Sequence, residues 1–153
     1  MGTDILCVDD DPLMHNLLSN LLKQHGFQVS LATNGAEGLE RARRRPPDLI
    51  VLDILMPGMD GFEVCRQLRQ DPRLRTIPVI VLTAMESSKL NEQAFAVGAD
   101  VCMTKPFPPD RFISTVNMAL QNAARQNKPK PDSSRDPAGD AKDSGIPGPR
   151  KDA

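Results

Sequence analysis

Short apolar runs alternate with helical patterns along this chain. The runs are residues 5–8, 29–32, 49–52, 79–82 and 101–103. Runs this short, rich in Ile, Val and Leu, read as buried strands. Between them, apolar residues recur at helical spacing. Met14, Leu17, Leu18, Leu21 and Leu22 share one helical face, and Phe62, Cys65 and Leu68 a second. Leu90, Ala94 and Val97 form a third, and Phe112, Val116, Ala119 and Leu120 the last. The punctuation agrees. Asp11 before Pro12 reads as an N-cap with proline in the first helical position. Asn34 followed by Glu37 reads as a capping-box variant. Asp60-Gly61 reads as a turn and helix start, and Pro78 marks the beginning of a strand.

Five strands alternating with five helices predict an α/β fold, a parallel sheet covered by helices on both faces. Right-handed crossovers distribute the helices to both sides. The expected strand order is 2-1-3-4-5, the flavodoxin-like doubly wound arrangement. Its ligand crevice lies at the carboxyl ends of strands 1 and 3.

The pattern stops near residue 124. From Lys128 the sequence KPKPDSSRDPAGDAKDSGIPGPRKDA has Ile146 as its only large aliphatic residue. Such a segment cannot bury enough apolar surface to offset its ordering entropy. The expected organisation is one domain over residues 1–124 and a disordered tail over residues 125–153.

Charge and composition narrow the function. The formal net charge is −1 across 153 residues, so no bulk basic field attracts nucleic acid, and direct DNA binding is not expected. Arg41, Arg43, Arg44 and Arg45 cluster, but they close a helical pattern, where cations favour the helix dipole. No apolar run is long enough to cross a membrane. The N-terminus turns acidic where a secretory signal would continue apolar, which predicts a cytoplasmic protein. Cys7, Cys65 and Cys102 are odd in number and lie in apolar surroundings, as reduced, buried small hydrophobes do. His15 and His25 are too few and too isolated to suggest a metal site.

The candidate chemistry lies at the carboxyl ends of the strands. Asp9, Asp10 and Asp11 follow strand 1, Asp53 follows strand 3, Thr83 and Ala84 end strand 4, and Lys105-Pro106 follows strand 5. A parallel sheet brings all of these to one edge. With Asp11 assigned to the helix cap, Asp9, Asp10 and Asp53 share the crevice. Two unit charges about 4 Å apart, at an effective dielectric of about 20, repel by roughly 4 kcal/mol. Lys105 supplies one positive charge, and a divalent cation would supply the rest. Oxygen ligands with room for water and a phosphate oxygen describe Mg²⁺. A carboxylate so placed can act as a nucleophile and take a phosphoryl group as an acyl phosphate. Mg²⁺, Lys105, the Thr83 hydroxyl and the Ala84 amide could cover the equatorial oxygens. The Met56-Pro57-Gly58 turn leaves the approach to Asp53 open. Taken singly, each of these residues could be an ordinary turn acid, strand residue or solvated lysine; their common edge is what argues for a site.

The segments that carry these residues are ILCVDDDP, DLIVLDILMPGMDGFE, IPVIVLTA and GADVCMTKPF. Together they resemble the receiver domain of two-component response regulators, over roughly residues 3–124. The resemblance implies that a sensor histidine kinase or phosphotransfer protein donates a phosphoryl group to Asp53. It implies Mg²⁺ ligation by Asp10, Asp53 and the Leu55 carbonyl, with Asp9 acting through water, and a cis Lys105-Pro106 peptide. It further implies an output face of helix 4, strand 5 and helix 5, about residues 87–122, for an unidentified protein partner. One position departs from the pattern. Such domains usually carry Tyr or Phe where this chain has Cys102, which is too small to follow the Thr inward on phosphorylation.

The expected function is a stand-alone, phosphorylation-controlled binding module, not an enzyme. A phosphorelay intermediate is the nearest alternative. An Mg²⁺-dependent phosphohydrolase working through Asp53 is a third reading, against which the short loops argue, since they leave no room for a substrate cap. The tail contributes almost no apolar burial, so removing residues 128–153 is expected to leave the thermal midpoint and phosphorylation nearly unchanged. A markedly lower midpoint for residues 1–127 would show that the tail packs on the domain.

Overall fold

The computed structural model describes residues 2–84 and 87–127. Strands and helices alternate: β1 (Asp4–Val8), α1 (Pro12–Gln24), β2 (Gln28–Ala32), α2 (Gly35–Arg44), β3 (Leu49–Asp53), α3 (Gly61–Gln70), β4 (Val79–Thr83), α4 (Ser88–Ala96), β5 (Val101–Thr104) and α5 (Pro109–Asn127). All pairings are parallel, in the expected order β2-β1-β3-β4-β5. The tail from Lys128 lies outside the described residues, and α5 runs past residue 124 to Asn127.

The apolar runs are continuous because the central strands are covered on both faces. Alternate residues of each strand enter opposite cores. Leu6, Val8, Ile50, Leu52, Val79 and Val81 pack with Leu39 of α2, Val64 and Leu68 of α3 and Ala94 of α4. Ile5, Cys7, Leu49, Val51, Ile80 and Leu82 pack with Leu18 and Leu22 of α1 and Phe112 and Val116 of α5. A fully buried aliphatic side chain contributes about 1.5–3 kcal/mol, so this double layer fixes the register that places the strand ends.

Two expectations need correction. Leu17 is 47% exposed, whereas His15 is buried together with Leu18 and Leu22. The seam of α1 is rotated toward His15, and Met14 and Leu21 lie at its margin. Cys7 and Cys65 are buried, but Cys102 is only partly so, because β5 is an edge strand among the described residues.

The helix starts form as the sequence predicts. Asp11 accepts from the Leu13 amide, Asn34 from Glu37 and Asp60 from Glu63. Glu37 reaches back to the amide and hydroxyl of Thr33 rather than to the cap residue itself. The arginine cluster closes α2 and is matched by acids: Arg41 with Glu37, Arg43 with Asp71, Arg44 with Glu40 and Arg45 with Asp4. At the amino-terminal end of the sheet, the Arg69 guanidinium donates to the carbonyls of Arg75, Ile77 and Gly98 and to Asp100. It thereby ties α3 to the segments entering β4 and β5, the strands that carry Thr83 and lead to Lys105.

Candidate functional site

Strands β1 and β3 are neighbours, with Val8 opposite Leu52, and their connections leave toward opposite edges of the sheet. The ends of the two strands therefore border an open crevice. Asp9, Asp10 and Asp53 meet there, with one carboxylate oxygen from each lying within 4.8 Å of the others. Asp9 and Asp53 are buried, at 2% and 7% exposure, and Asp10 is exposed.

Each buried acid is held by donors. Asp9 Oδ1 accepts from the Asp11 amide at 2.9 Å, and its Oδ2 accepts from Lys105 Nζ at 2.9 Å. The same ammonium lies 3.7 Å from Asp53 Oδ2. Asp53 Oδ1 accepts a longer hydrogen bond, 3.3 Å, from the Leu55 amide. The Lys105-Pro106 peptide is cis, and Lys105 is positioned by its own amide, which donates to the Thr83 carbonyl at 2.8 Å. Thr83 is buried at 1% exposure, and Ala84 beside it is exposed. The Leu55 side chain is 48% exposed on the rim.

The turn after β3 has two glycine requirements. Gly58 adopts φ +78°, the left-handed region that the turn needs. Gly61 opens α3 against the end of the strand, and its amide donates to the Ile54 carbonyl. A Cβ there would lie 2.5 Å from the Asp53 carbonyl oxygen and 2.7 Å from Ile54 Cα. The helix can therefore start this close to Asp53 only with glycine.

Electrostatics sets the chemistry. One ammonium cannot balance three ionised carboxylates. Burial pushes Asp53 up to about 6; Lys105 pulls it down, while Asp9 and Asp10 push it further up. Hard oxygen donors with excess negative charge suit a small divalent cation, and the cluster fits Mg²⁺ in donor type. The neighbouring thiol is inert: burial, reinforced by Asp9, pushes Cys7 up to about 12. Burial also raises Cys65 and Cys102.

The model of the response regulator receiver domain family matches residues 5–117. The chain belongs to the receiver-domain family of response regulators. This receiver is 38% identical to Protein PilH of Pseudomonas aeruginosa over 116 residues, covering 76% of this chain and 96% of PilH. It is 40% identical over 121 residues to the DNA-binding dual master transcriptional regulator RpaA of Synechocystis, where the match covers 79% of this chain but 50% of the relative. The chemotaxis protein CheY4 of Vibrio cholerae superposes with a TM-score of 0.75 at 30% identity, covering 78% of this chain and 99% of that one. The chain thus spans about half the length of RpaA and nearly all of PilH. Among the described residues, no helix is long and apolar enough to cross a membrane.

All the sequence-predicted site residues of the receiver fall at this edge of the sheet. Reading the sequence missed His15, whose Nε2 lies 3.1 Å from the Ala32 carbonyl oxygen. The available signal was its position in the helical seam shared with Leu18 and Leu22.

Two predictions follow from this geometry. Gly61→Ala is expected to lower stability by about 1–3 kcal/mol through overpacking and to weaken cation binding by displacing Asp53; thermal melts and calorimetric Mg²⁺ titration measure both. The raised Asp53 means that the folded state holds this proton more tightly than the unfolded chain, whose ordinary carboxyl value is 3.8. That stabilisation is complete below the ordinary value and is lost as pH rises through about 6. In metal-free buffer, Asp53→Asn is therefore expected to melt above the native protein at pH 7.5, with the gap closing toward pH 4. Melts across that range with a chelator check it, and a gap independent of pH would contradict it.

Proposed function

We propose that this receiver accepts a phosphoryl group on Asp53 from a sensor histidine kinase or histidine phosphotransfer protein, and that the modified site switches a protein-binding surface. The observation that carries the reading is the placement of Asp53: a buried carboxylate with Asp9 and Asp10 within 4.8 Å and the Lys105 ammonium at 3.7 Å. Such a carboxylate is suited to act as a nucleophile beside a site for a divalent cation, with the Lys105 ammonium in reach.

In the proposed reaction an Asp53 carboxylate oxygen attacks phosphorus in line with the donor histidine nitrogen. The O–P bond forms as the N–P bond breaks, and the electron pair returns to the imidazole. Asp10, Asp53 and the Leu55 carbonyl would hold Mg²⁺, with Asp9 assisting through water; bound there, the ion offsets charge on a phosphoryl oxygen. Lys105 bonds Asp9 in the structure and would turn toward a second oxygen once the cation relieves Asp9. The Thr83 hydroxyl and the Ala84 amide would serve the third. The incoming group carries about −1.5 to −2 charge, and each charge-assisted hydrogen bond to it contributes about 1.5–3 kcal/mol. Two or three such bonds approach the roughly 5.5 kcal/mol that reverses a 1:99 population. The face that would respond is α4, β5 and α5, on which Phe95 and Met118 are each 51% exposed.

The purified protein is expected to take one phosphoryl group from acetyl phosphate, only with a divalent cation present, and Asp53→Ala is expected to take none. Intact-mass measurement reads the result, since the chain has no Trp or Tyr to report by fluorescence. Equal labelling of the Asp53→Ala protein would refute the assignment of the acceptor.

A further inference from the structure

His15 is a polar side chain buried behind the crevice, at 8% exposure, and touches none of the three acids in any bond described above. Its Nε2 lies 3.1 Å from the carbonyl oxygen of Ala32, the last residue of β2. The same carbonyl accepts the Asp9 amide at 3.1 Å. The Asp9 carboxylate accepts the Asp11 amide at 2.9 Å, and the Asp11 carbonyl accepts the His15 amide at 3.1 Å. Four hydrogen bonds thus close a ring through His15, Ala32, Asp9 and Asp11. A carbonyl can only accept, so Nε2 carries the hydrogen. The imidazole bond is the only member of the ring that belongs to a replaceable side chain other than the acid itself, and it ties α1 to the last residue of β2.

Asp10 lies between the two residues whose backbones the ring fixes. Asp9 has a second anchor in Lys105, whereas Asp10 is exposed and depends on the 9–11 backbone for its place beside Asp53. We propose that His15 is a positioning residue for the acidic cluster, holding the segment from Asp9 to Asp11 so that Asp10 meets Asp53 at cation-binding distance. This rests on the receiver reading above, in which the cluster takes Mg²⁺. A leucine at this position would continue the apolar seam of α1 but leave the Ala32 carbonyl with one donor fewer and the start of α1 without its polar tie to β2.

The test is calorimetric Mg²⁺ titration of the full chain and of its His15→Leu and His15→Gln variants, the glutamine amide retaining a donor. His15→Leu is expected to bind Mg²⁺ about tenfold more weakly, in the range typical of residues that orient metal ligands, and His15→Gln to recover most of that loss. Native-like affinity in His15→Leu, or equal weakening in both variants, overturns the positioning role while leaving the cation site intact. Failure of the native protein to bind Mg²⁺ overturns the cation site and this inference together. A second measurement covers a His15→Leu variant that does not fold. In long-range ¹H–¹⁵N spectra of the native protein, the His15 ring nitrogens are expected to move as Mg²⁺ saturates, while those of His25, exposed and bonded to Leu21 on α1, stay in place. His25→Gln assigns the two rings, and a His15 signal indifferent to Mg²⁺ overturns the proposal.

Discussion

The repulsion among Asp9, Asp10 and Asp53 is the constraint to which the rest of the structure answers. Three carboxylates within 4.8 Å, two of them buried, would scatter in a flexible chain. Here they are attached to strand ends that cannot yield. Val8 and Leu52 are paired, and their side chains lie in the core formed with α2, α3 and α4. Moving either acid would mean shifting a strand whose alternate residues are locked in two packed layers. The sheet therefore holds the charges together at an electrostatic cost that Lys105 only partly offsets. A site of this kind is poised: anything that adds positive charge is stabilised, and anything that alters the charge on Asp53 forces its neighbours to rearrange.

The frame around the crevice is correspondingly stiff. Asp11 and Asp60 cap the helices that leave β1 and β3, and Gly61 lets α3 start against the Asp53 carbonyl. At the opposite end of the sheet, Arg69 gathers three carbonyls and Asp100, fixing the entry into β4 and β5. Thr83 and Lys105 thus sit at the far ends of strands that are pinned at their origins. The Lys105 amide bond to the Thr83 carbonyl couples the two directly. Packing is looser on one flank: β5 is the last strand of the sheet, and Cys102 on it is only partly covered.

Most of the fold was legible because its signals are local. Apolar runs of strand length, capping residues at the expected offsets and a Pro-Gly turn after Asp53 each follow from short-range physics. The acidic cluster was legible for a topological reason: in a parallel sheet, whatever follows a strand lies on one edge. The misses are tertiary. Leu17 and His15 lie on the same helix, and hydropathy favours burying leucine; the helix is instead rotated so that an imidazole meets the Ala32 carbonyl. Arg69 carried no motif, because most of its partners are backbone carbonyls, drawn from two separate segments that enter β4 and β5. Cys102 was expected to be buried, but exposure of an edge strand depends on what flanks it, which composition does not record.

Residue 102 bears on how much of a receiver's behaviour is separable from its acceptor chemistry. The acidic cluster, Lys105 and Thr83 are all in place, yet position 102, where the resemblance implies an aromatic ring, holds a thiol. Partial burial pushes that thiol further up from its ordinary value, in keeping with a small, weakly polar group. The same receiver architecture covers nearly all of PilH and only half of RpaA, so one fold is carried by chains of very different length, and in this chain its edge and its flank hold different kinds of residue. The physical reason is that the site is built from strand ends and loops at one edge, whereas α4, β5 and α5 line a flank. A change on the flank, such as a cysteine in place of an aromatic ring, alters what the flank offers without touching the charges that hold the crevice. In this fold, charge balance belongs to the edge of the sheet and surface shape to its flank, and the two meet where the Lys105 amide bonds the Thr83 carbonyl.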